Sequence, residues 1–418
     1  MYTKIETPIY NLHIIKTDKF KRNVIKINFK NKLDKESIPK RRLIPNILFL
    51  SNKIYPGKRL LNIEMENLYN LEISGTTTYS GSTYITSFEA TFLGEKYVSG
   101  LFEDALKFIT DIIFKPDIKN NSFDESSFKK SCVSLKEAID NLLDDPYSYA
   151  MEEVYKNIDS NGILSYPIYG TKKQIDKLTS SDIYNYYLDM LDNDTIDIFI
   201  IGDINPDTKL IDKYFNHLKP RKNTIDHYVE YNNFNTKYKE IKTTKNYNQS
   251  KLILAYKTTS LTPFEKKYVM PIYTYILGGG PDSKLFKTVR EKNSLCYSIS
   301  CNFKAVENLM FIKSGIDSGN YNKAVKLIKE EISNMENGNF TTKDIDKAKI
   351  TYLSAFDEAS DSIYSILNDY IAREYLNTDL IDIKKEEIEK VTKKDIMAII
   401  PKIHPELIYL LEGSKLDD

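Results

Sequence analysis

The hydrophobic and polar positions along the chain predict the same order of elements twice. Each half begins with an apolar strand, continues with helices and a hairpin, and closes with helices and a last strand. In the first half the predicted strands are Val24–Phe29, the hairpin Leu71–Ser80 with Thr83–Leu93, and Ile196–Ile201. In the second half they are Lys251–Tyr256, the hairpin Cys296–Phe303 with Leu309–Ile316, and Leu407–Leu411. Because strands and helices cluster separately, each half is predicted to be α+β.

Similar helix starts support a duplicated domain. The segments that begin at Phe123 and Phe340 open long amphipathic helices and are 217 residues apart, while Leu178 and Val391 precede capped helices and are 213 residues apart. A period of half the chain indicates two homologous domains, predicted at residues 1–225 and 226–418. The polar stretch Pro220–Ser250 is the predicted connector, and its Tyr238–Lys242 part also fits a strand.

Composition narrows the classes of function. Lys plus Arg and Asp plus Glu number 59 each, so no overall charge favours nucleic acid or an anionic membrane as a partner. The start lacks the apolar core of a secretory signal, and no apolar stretch approaches the roughly 20 residues that a membrane span needs. Three cysteines do not suggest a disulfide framework. We therefore expect a cytoplasmic protein.

The most distinctive motif runs from Gly278 to Tyr297. Three of the 15 glycines of the chain stand together at residues 278–280, which indicates a tight turn or a close approach of another backbone. Asp282 or Ser283 can cap the helix that follows, and that helix presents Arg290 near its end. A strand is predicted to begin at Cys296, next to Tyr297.

This motif, the later Ser314-Gly315-Ile316 and the duplicated layout resemble the pitrilysin/insulinase superfamily of zinc peptidases. The similarity is closest to its non-catalytic YmfF-type bacterial members, which are commonly found beside a catalytic relative called YmfH. The resemblance implies two homologous domains, each a mostly antiparallel sheet covered by helices on one face, that together form a half-shell.

The resemblance also implies a metal site that this chain does not complete. Catalytic members carry His-x-x-Glu-His on an early helix, whereas the corresponding segment here, Leu43–Leu50, contains no ligand. Glu137 stands about where the third ligand of the superfamily would be. No two of the four histidines are closer than ten residues; they are His13, His217, His227 and His404. We expect no metal or other cofactor in this chain, and zinc in a partner chain.

The superfamily's other contribution to the reaction maps onto the second half. In active relatives an arginine and a tyrosine of this half face the metal across a cleft, and the resemblance places them at Arg290 and Tyr297. A guanidinium suits carbonyls or carboxylates, and a phenol can donate to a carbonyl or an oxyanion. Together with Gly279 and Gly280, these residues are the predicted peptide-binding set. The early sheet edge could add an extended peptide as a further strand.

Simpler interpretations of the same residues remain open at this point. Arg290 could pair with a neighbouring carboxylate. Tyr297 has the strand parity of Ile299 and could be an ordinary half-buried tyrosine. Cys296 and Cys301 stand at positions of different parity in the predicted strand, so their small apolar side chains are expected on opposite faces of the sheet. Cys132 lies on a predicted amphipathic helix and is expected in the protein core.

The sequence therefore predicts a metal-free, non-catalytic subunit of a heterodimeric zinc metalloendopeptidase that is inactive alone. Its partner would be a homologous catalytic chain of the YmfH type, and its substrate a peptide. One alternative is a catalytically silent scaffold that supports processing of a ribosomal peptide or modification of elongation factor P. Another is an enzyme with unrelated carboxylate ligands, for which the candidates are Glu137, Glu152 and Glu153.

Overall fold

A computed structural model of the chain describes residues 1–220 and 237–414. The strands are β1 Tyr2–Glu6, β2 Asn11–Lys16, β3 Arg22–Lys32, β4 Glu72–Ser80, β5 Thr83–Leu93, β6 Ile118–Lys119, β7 Ser122–Phe123, β8 Thr195–Gly202, β9 Lys239–Lys245, β10 Ser250–Thr258, β11 Cys296–Lys304, β12 Leu309–Ile316 and β13 Ile403–Gly413. The helices are α1 Ile38–Leu50, α2 Lys58–Asn67, α3 Leu101–Phe114, α4 Glu125–Asp144, α5 Pro146–Ile158, α6 Lys172–Ile175, α7 Ser180–Asn193, α8 Thr208–Phe215, α9 Met270–Gly278, α10 Tyr321–Glu336, α11 Thr342–Ala359, α12 Ile363–Leu376, α13 Ile381–Glu389 and α14 Lys393–Ile399.

The chain forms two compact units that do not coincide with its two halves. Among the described residues, unit 1 contains 1–141 and 166–220, and unit 2 contains 142–165 and 237–414. The segment that carries α5 thus folds with the second unit, which the sequence analysis did not anticipate. The expected boundary between residues 225 and 226 lies outside the described residues.

Unit 1 is built on a six-stranded sheet with the order β1-β2-β8-β3-β5-β4. Alternate apolar residues of β3 and β8, such as Ile27 and Ile198, point into the core formed with the helices. The opposite face is largely buried and mixes apolar side chains such as Val24 and Phe199 with polar ones. There Asp197 accepts a hydrogen bond from Asn11 Nδ2 at 2.8 Å and pairs with Lys30 Nζ at 2.7 Å, so its charge is compensated.

Unit 2 is built on a five-stranded sheet with the order β11-β12-β10-β13-β9. One face packs on the helices of the C-terminal half. The other face contacts α5, where Ala150 and Val154 pack with a buried cluster that includes Ile253, Phe311 and Tyr409. α5 folds with unit 2 because packing against this sheet removes its apolar side chains from water.

The two sheets confirm the duplication. The order β2-β8-β3-β5-β4 of unit 1 repeats as β9-β13-β10-β12-β11 in unit 2, with the same parallel and antiparallel pairs. Capping boxes at Thr179, Thr341 and Thr392 begin α7, α11 and α14. The strand foreseen within the connector is present as β9. Both units are therefore α+β, as the sequence predicts.

In residues 1–220 and 237–414, no helix is both long and apolar enough to cross a bilayer.

Candidate functional site

The glycine run joins α9 to the motif helix, which we define as Phe286–Lys292. This helix has the wider i→i+5 hydrogen bonding of a π-helix. None of the three glycines has a positive φ, so the run is not explained by a left-handed turn. Close packing explains part of it instead. A Cβ at Gly278 would lie 2.7 Å from the backbone N of Cys301 on β11, and a Cβ at Gly279 would lie 2.5 Å from Tyr275 Cα.

Gly280 differs from its two neighbours because a Cβ there would be 3.6 Å from its nearest heavy atom, the Tyr275 hydroxyl oxygen. We expect Gly278→Ala to lower the free energy of unfolding by about 1–3 kcal/mol, since the rigid backbone of β11 must shift. Gly280→Ala is the matched control and should leave stability within about 0.5 kcal/mol. Urea denaturation followed by circular dichroism measures both. Equal stability of the two variants would contradict the packing role of Gly278.

The helical turn that leads into the motif helix begins at Lys284, and Ser283, not Asp282, is the residue that caps this turn. The Ser283 Oγ accepts a hydrogen bond from the Phe286 backbone N–H at 3.4 Å. Asp282 instead pairs with Lys347 at 2.7 Å and with Lys287 at 3.1 Å, and hydrogen bonds from these ammonium groups lower the pKa of its carboxyl. The loop is thereby attached to α11, which carries Lys347.

Arg290 and Tyr297 lie side by side. The Arg290 guanidinium carbon is 4.3 Å from the Phe286 ring centroid and 5.5 Å from that of Tyr297. Within residues 1–220 and 237–414, Arg290 forms no side-chain ion pair. The aromatic contacts restrict the guanidinium without neutralising it, so its donors stay available to a ligand.

A β-bulge determines the direction of Tyr297. The register between β11 and β12 shifts between Cys296 and Ile299, and the Tyr297 side chain is 81% exposed. The interpretation as a half-buried tyrosine on the face of Ile299 is therefore wrong, because the extra residue of the bulge breaks the alternation.

The same bulge corrects the expectation for the cysteines. Cys301 is buried in the core of unit 2 and Cys296 packs partly against that core, so they do not face opposite sides. Burial raises the pKa of both thiols, which suits apolar side chains better than nucleophiles. Cys132 of α4 packs partly against the core of unit 1, as expected.

The early helix α1 does not fit a zinc site. Its buried side chains include Leu43, Ile44, Ile47 and Leu48 of the segment in which the ligands of catalytic relatives would stand. The Glu137 side chain of α4 is exposed. Within the described ranges, no group of three or more His, Cys, Asp and Glu side chains could hold a metal ion. The buried aliphatic side chains of α1 are those of a packed core and cannot chelate a metal, so Glu137 has no ligands beside it from that helix.

The histidines and the other candidate ligands have separate surroundings. His13 Nδ1 is 2.9 Å from the Tyr2 hydroxyl, and His404 Nε2 is 3.2 Å from the Thr259 hydroxyl. The ring of His217 packs edge-on against Phe114, and His227 lies outside the described residues. Glu152 and Glu153 pair with the Lys156 ammonium at 3.8 and 2.8 Å. These contacts favour structural roles for both carboxylates over the alternative in which they are ligands of an unrelated enzyme site.

Sequence reasoning missed two arginines of α1. Arg41 is fully buried and pairs with Asp194, and it donates to the Phe29 carbonyl at 3.0 Å. Arg42 donates to the Thr77 carbonyl of the edge strand β4 at 2.5 Å and to the Ile168 carbonyl at 3.0 Å. Two adjacent arginines in a helix that is mostly apolar after them were the available signal, because a buried charge needs a partner.

Comparisons with known proteins relate the sequence of this chain to one family. Residues 177–352 match the family model described as the Peptidase M16 inactive domain. The chain is 28% identical over 413 residues to a probable inactive metalloprotease, YmfF, of Bacillus subtilis strain 168, and the match covers 96% of both chains.

Solved structures support the fold. A conserved protein from Enterococcus faecalis V583 is similar with a TM-score of 0.92 and 24% identity, and each chain is covered over 100% of its length. A peptidase M16 inactive domain from Pseudomonas fluorescens has a TM-score of 0.80 and 16% identity, with 100% of this chain and 99% of that chain covered. With the family match, these findings confirm that the chain is similar to the non-catalytic members of the pitrilysin/insulinase superfamily, the resemblance that the sequence predicts.

Proposed function

We propose that this chain is the metal-free subunit of a two-chain zinc endopeptidase. The observation that carries the proposal is the pair of the half-buried Arg290 and the exposed Tyr297, whose polar groups are available to a ligand, while the α1 segment Leu43–Leu50 contains no side chain that could bind a catalytic zinc. A homologous partner chain of the YmfH type would supply His-x-x-Glu-His and the zinc. The similarity to a relative described as a probable inactive metalloprotease supports the absence of activity in the isolated chain.

The side chains of this chain can position a peptide. The Arg290 fork can donate two parallel hydrogen bonds to a carboxylate or to neighbouring carbonyl oxygens of a substrate. The Tyr297 hydroxyl can donate one more to the carbonyl of the bond that is cut, where negative charge develops. Gly280 has room beside it for a substrate backbone, since apart from its chain neighbours no heavy atom of the described residues comes closer than 3.6 Å to a Cβ placed there. Its peptide-binding role, like that of Gly279, is part of the proposal.

Co-expression with the homologous chain that carries His-x-x-Glu-His tests the proposal. The tagged chain should retain the untagged partner during purification, and the mixture should cleave members of a peptide library that neither chain cleaves alone. A stable complex without cleavage, combined with peptide binding, would favour the silent scaffold, since loss of metal ligands leaves the binding residues in place. Failure to form any complex would contradict the proposal.

A further inference from the structure

A cavity of about 220 Å³ in unit 2 lies between α9, α10 and the strands β10 and β13. The two strands depart from regular pairing there. Their register shifts at Tyr256, which pairs with Pro405, and Glu406 of β13 is the extra residue. β-bulges of this kind often stand beside binding sites. The described lining residues do not include Arg290 or Tyr297, so the cavity is separate from the site described above.

Three tyrosines meet in this cavity, and one of them has an unused hydroxyl. The hydroxyls of Tyr238 and Tyr256 are hydrogen-bonded to each other, whereas that of Tyr273, a residue only 1% exposed, bonds to no described residue. Burial raises the pKa of the Tyr273 phenol most, and the Cys301 thiol and the Glu336 carboxylate raise it further, so the group stays a neutral donor. Because Glu336 and Tyr238 both line the cavity and act on this phenol, its hydroxyl faces the cavity. A ligand that accepts its hydrogen bond would recover the cost of an unpaired buried donor.

Two opposite charges stand at the mouth of the cavity. Lys329 and Glu336 of α10 line it and are exposed, whereas Tyr256 and Ile332 deeper in the wall are buried. Neither charged side chain has an ion-pair partner in the described part of the chain, and the Lys329 Nζ lies 4.8 Å from the ring centroid of Tyr238. Seven residues of helix separate their Cα atoms by about 10.5 Å along the axis. A ligand that carries both signs of charge, some distance apart, would pair with both.

Aliphatic side chains form the rest of the wall. Ile332 is joined there by Ile400, which follows α14, and by Ile403 and Pro405 of β13. Contact with them would remove an apolar group of a ligand from water. The volume is below the roughly 300 Å³ at which pockets for drug-sized molecules begin, so the ligand is small. An extended dipeptide, whose ends are about 7 Å apart, fits these conditions better than a free amino acid, whose two charged groups are attached to one carbon.

We propose that this cavity binds a zwitterionic dipeptide with an aliphatic side chain. Lys329 pairs with the carboxylate of the dipeptide and Glu336 with its ammonium group. The Tyr273 hydroxyl donates to the peptide carbonyl, and the aliphatic side chain lies against Ile332. The inference goes beyond the proposed function, because the cavity is built within unit 2 and needs no partner chain. Peptide hydrolysis is the class of reaction that releases such molecules, and only this link rests on the proposed function.

The test titrates the full chain with glycyl-leucine in a calorimeter, and saturable binding to one site is expected. N-acetyl-glycyl-leucine lacks the ammonium group and glycyl-leucinamide lacks the carboxylate, so each should bind at least about 5-fold more weakly. Glycylglycine, which lacks the aliphatic side chain, should also bind at least about 5-fold more weakly. Absence of saturable binding, or equal binding of glycyl-leucine and both blocked peptides, would overturn the inference.

Two variants locate the site. Tyr273→Phe keeps the shape of the wall and should weaken binding of glycyl-leucine about 5-fold without lowering stability, because the hydroxyl bonds to no described residue. Glu336→Gln should weaken binding by a similar factor. Lys323→Gln and Glu330→Gln are the controls, since both residues are exposed on α10 and neither lines the cavity. Urea unfolding checks that every variant is folded. Unchanged affinity of either Tyr273→Phe or Glu336→Gln would contradict the assignment.

The same experiments separate the two proposals. Cleavage by the two-chain mixture, with no binding of glycyl-leucine to this chain, would remove only the dipeptide site. Binding of glycyl-leucine that depends on Tyr273 and Glu336, with no cleavage by any mixture, would remove only the peptidase assignment.

Discussion

Asp194→Ala is expected to lower the free energy of unfolding of unit 1 by about 3–5 kcal/mol, because it leaves the buried charge of Arg41 without a counterion. Arg41 also donates to the Thr86 hydroxyl at 2.9 Å, and Asp194 accepts from Asn31 at 2.9 Å, so both groups belong to one buried network. Urea unfolding followed by circular dichroism measures the change.

Two further variants complete this test. Asp140→Ala removes the exposed pair of Asp140 with Lys172 and should cost less than about 1 kcal/mol. Joint replacement of Arg41 by methionine and Asp194 by leucine should recover much of the loss, since apolar side chains of similar volume need no counterion. If Asp194→Ala lowered the free energy of unfolding by less than about 1 kcal/mol, the Arg41–Asp194 pair would not be what keeps α1 in place.

Tyr297→Phe in the two-chain complex is expected to lower turnover about 100-fold, the size of effect seen when one donor to a developing oxyanion is removed. The phenol is exposed and outside the core, so the variant should fold normally and keep its partner. Arg290→Lys keeps the charge but loses the planar fork, and it should raise KM more than it lowers kcat if Arg290 mainly positions the peptide.

Tyr97→Phe is the matched control for this second prediction. Tyr97 is another exposed tyrosine, 49% accessible, in unit 1 and outside the motif. The two-chain complex with Tyr97→Phe should have the same turnover as the complex with the unmodified chain. If Tyr297→Phe and Arg290→Lys also support unmodified turnover, the roles assigned to them are wrong, even if the complex itself is active.

Local patterns in the sequence were sufficient for the elements and for their duplication. The strand from Val24 to Phe29 and its counterpart from Lys251 to Tyr256 lie within β3 and β10, because runs of branched and aromatic residues settle strand identity locally. Helix starts were equally local, since Thr179 and Thr392 are each followed three residues later by the aspartate that completes a capping box.

Features that depend on distant parts of the chain could not be predicted. The bulge that turns Tyr297 outward arises from pairing with β12, so period-2 counting within β11 gave the wrong face. The packing of α5 on the sheet of unit 2 joins Ala150 to residues about one hundred positions away, such as Ile253. Arg41 and Asp194 are 153 positions apart along the chain, and the sequence shows only that a buried arginine would need a counterion.

For the candidate site, the sequence supplied the residue types and the structure supplied their arrangement. Arg290 and Tyr297 were predicted through the resemblance, and they are adjacent in the structure. Gly278 was recognised as part of a turn, but its actual constraint, the close approach to Cys301, depends on where β11 passes. The position of β11 at one end of the five-stranded sheet is likewise a consequence of the order of the strands.

This chain is similar in fold to an M16 peptidase domain, and its described residues offer no group that could hold the metal. The most direct measurement is metal content and peptide cleavage of the isolated chain, purified free of other peptidases and assayed with and without a chelator. We predict no stoichiometric zinc and no cleavage under either condition. Cleavage by the isolated chain that a chelator abolishes and added zinc restores would contradict the account.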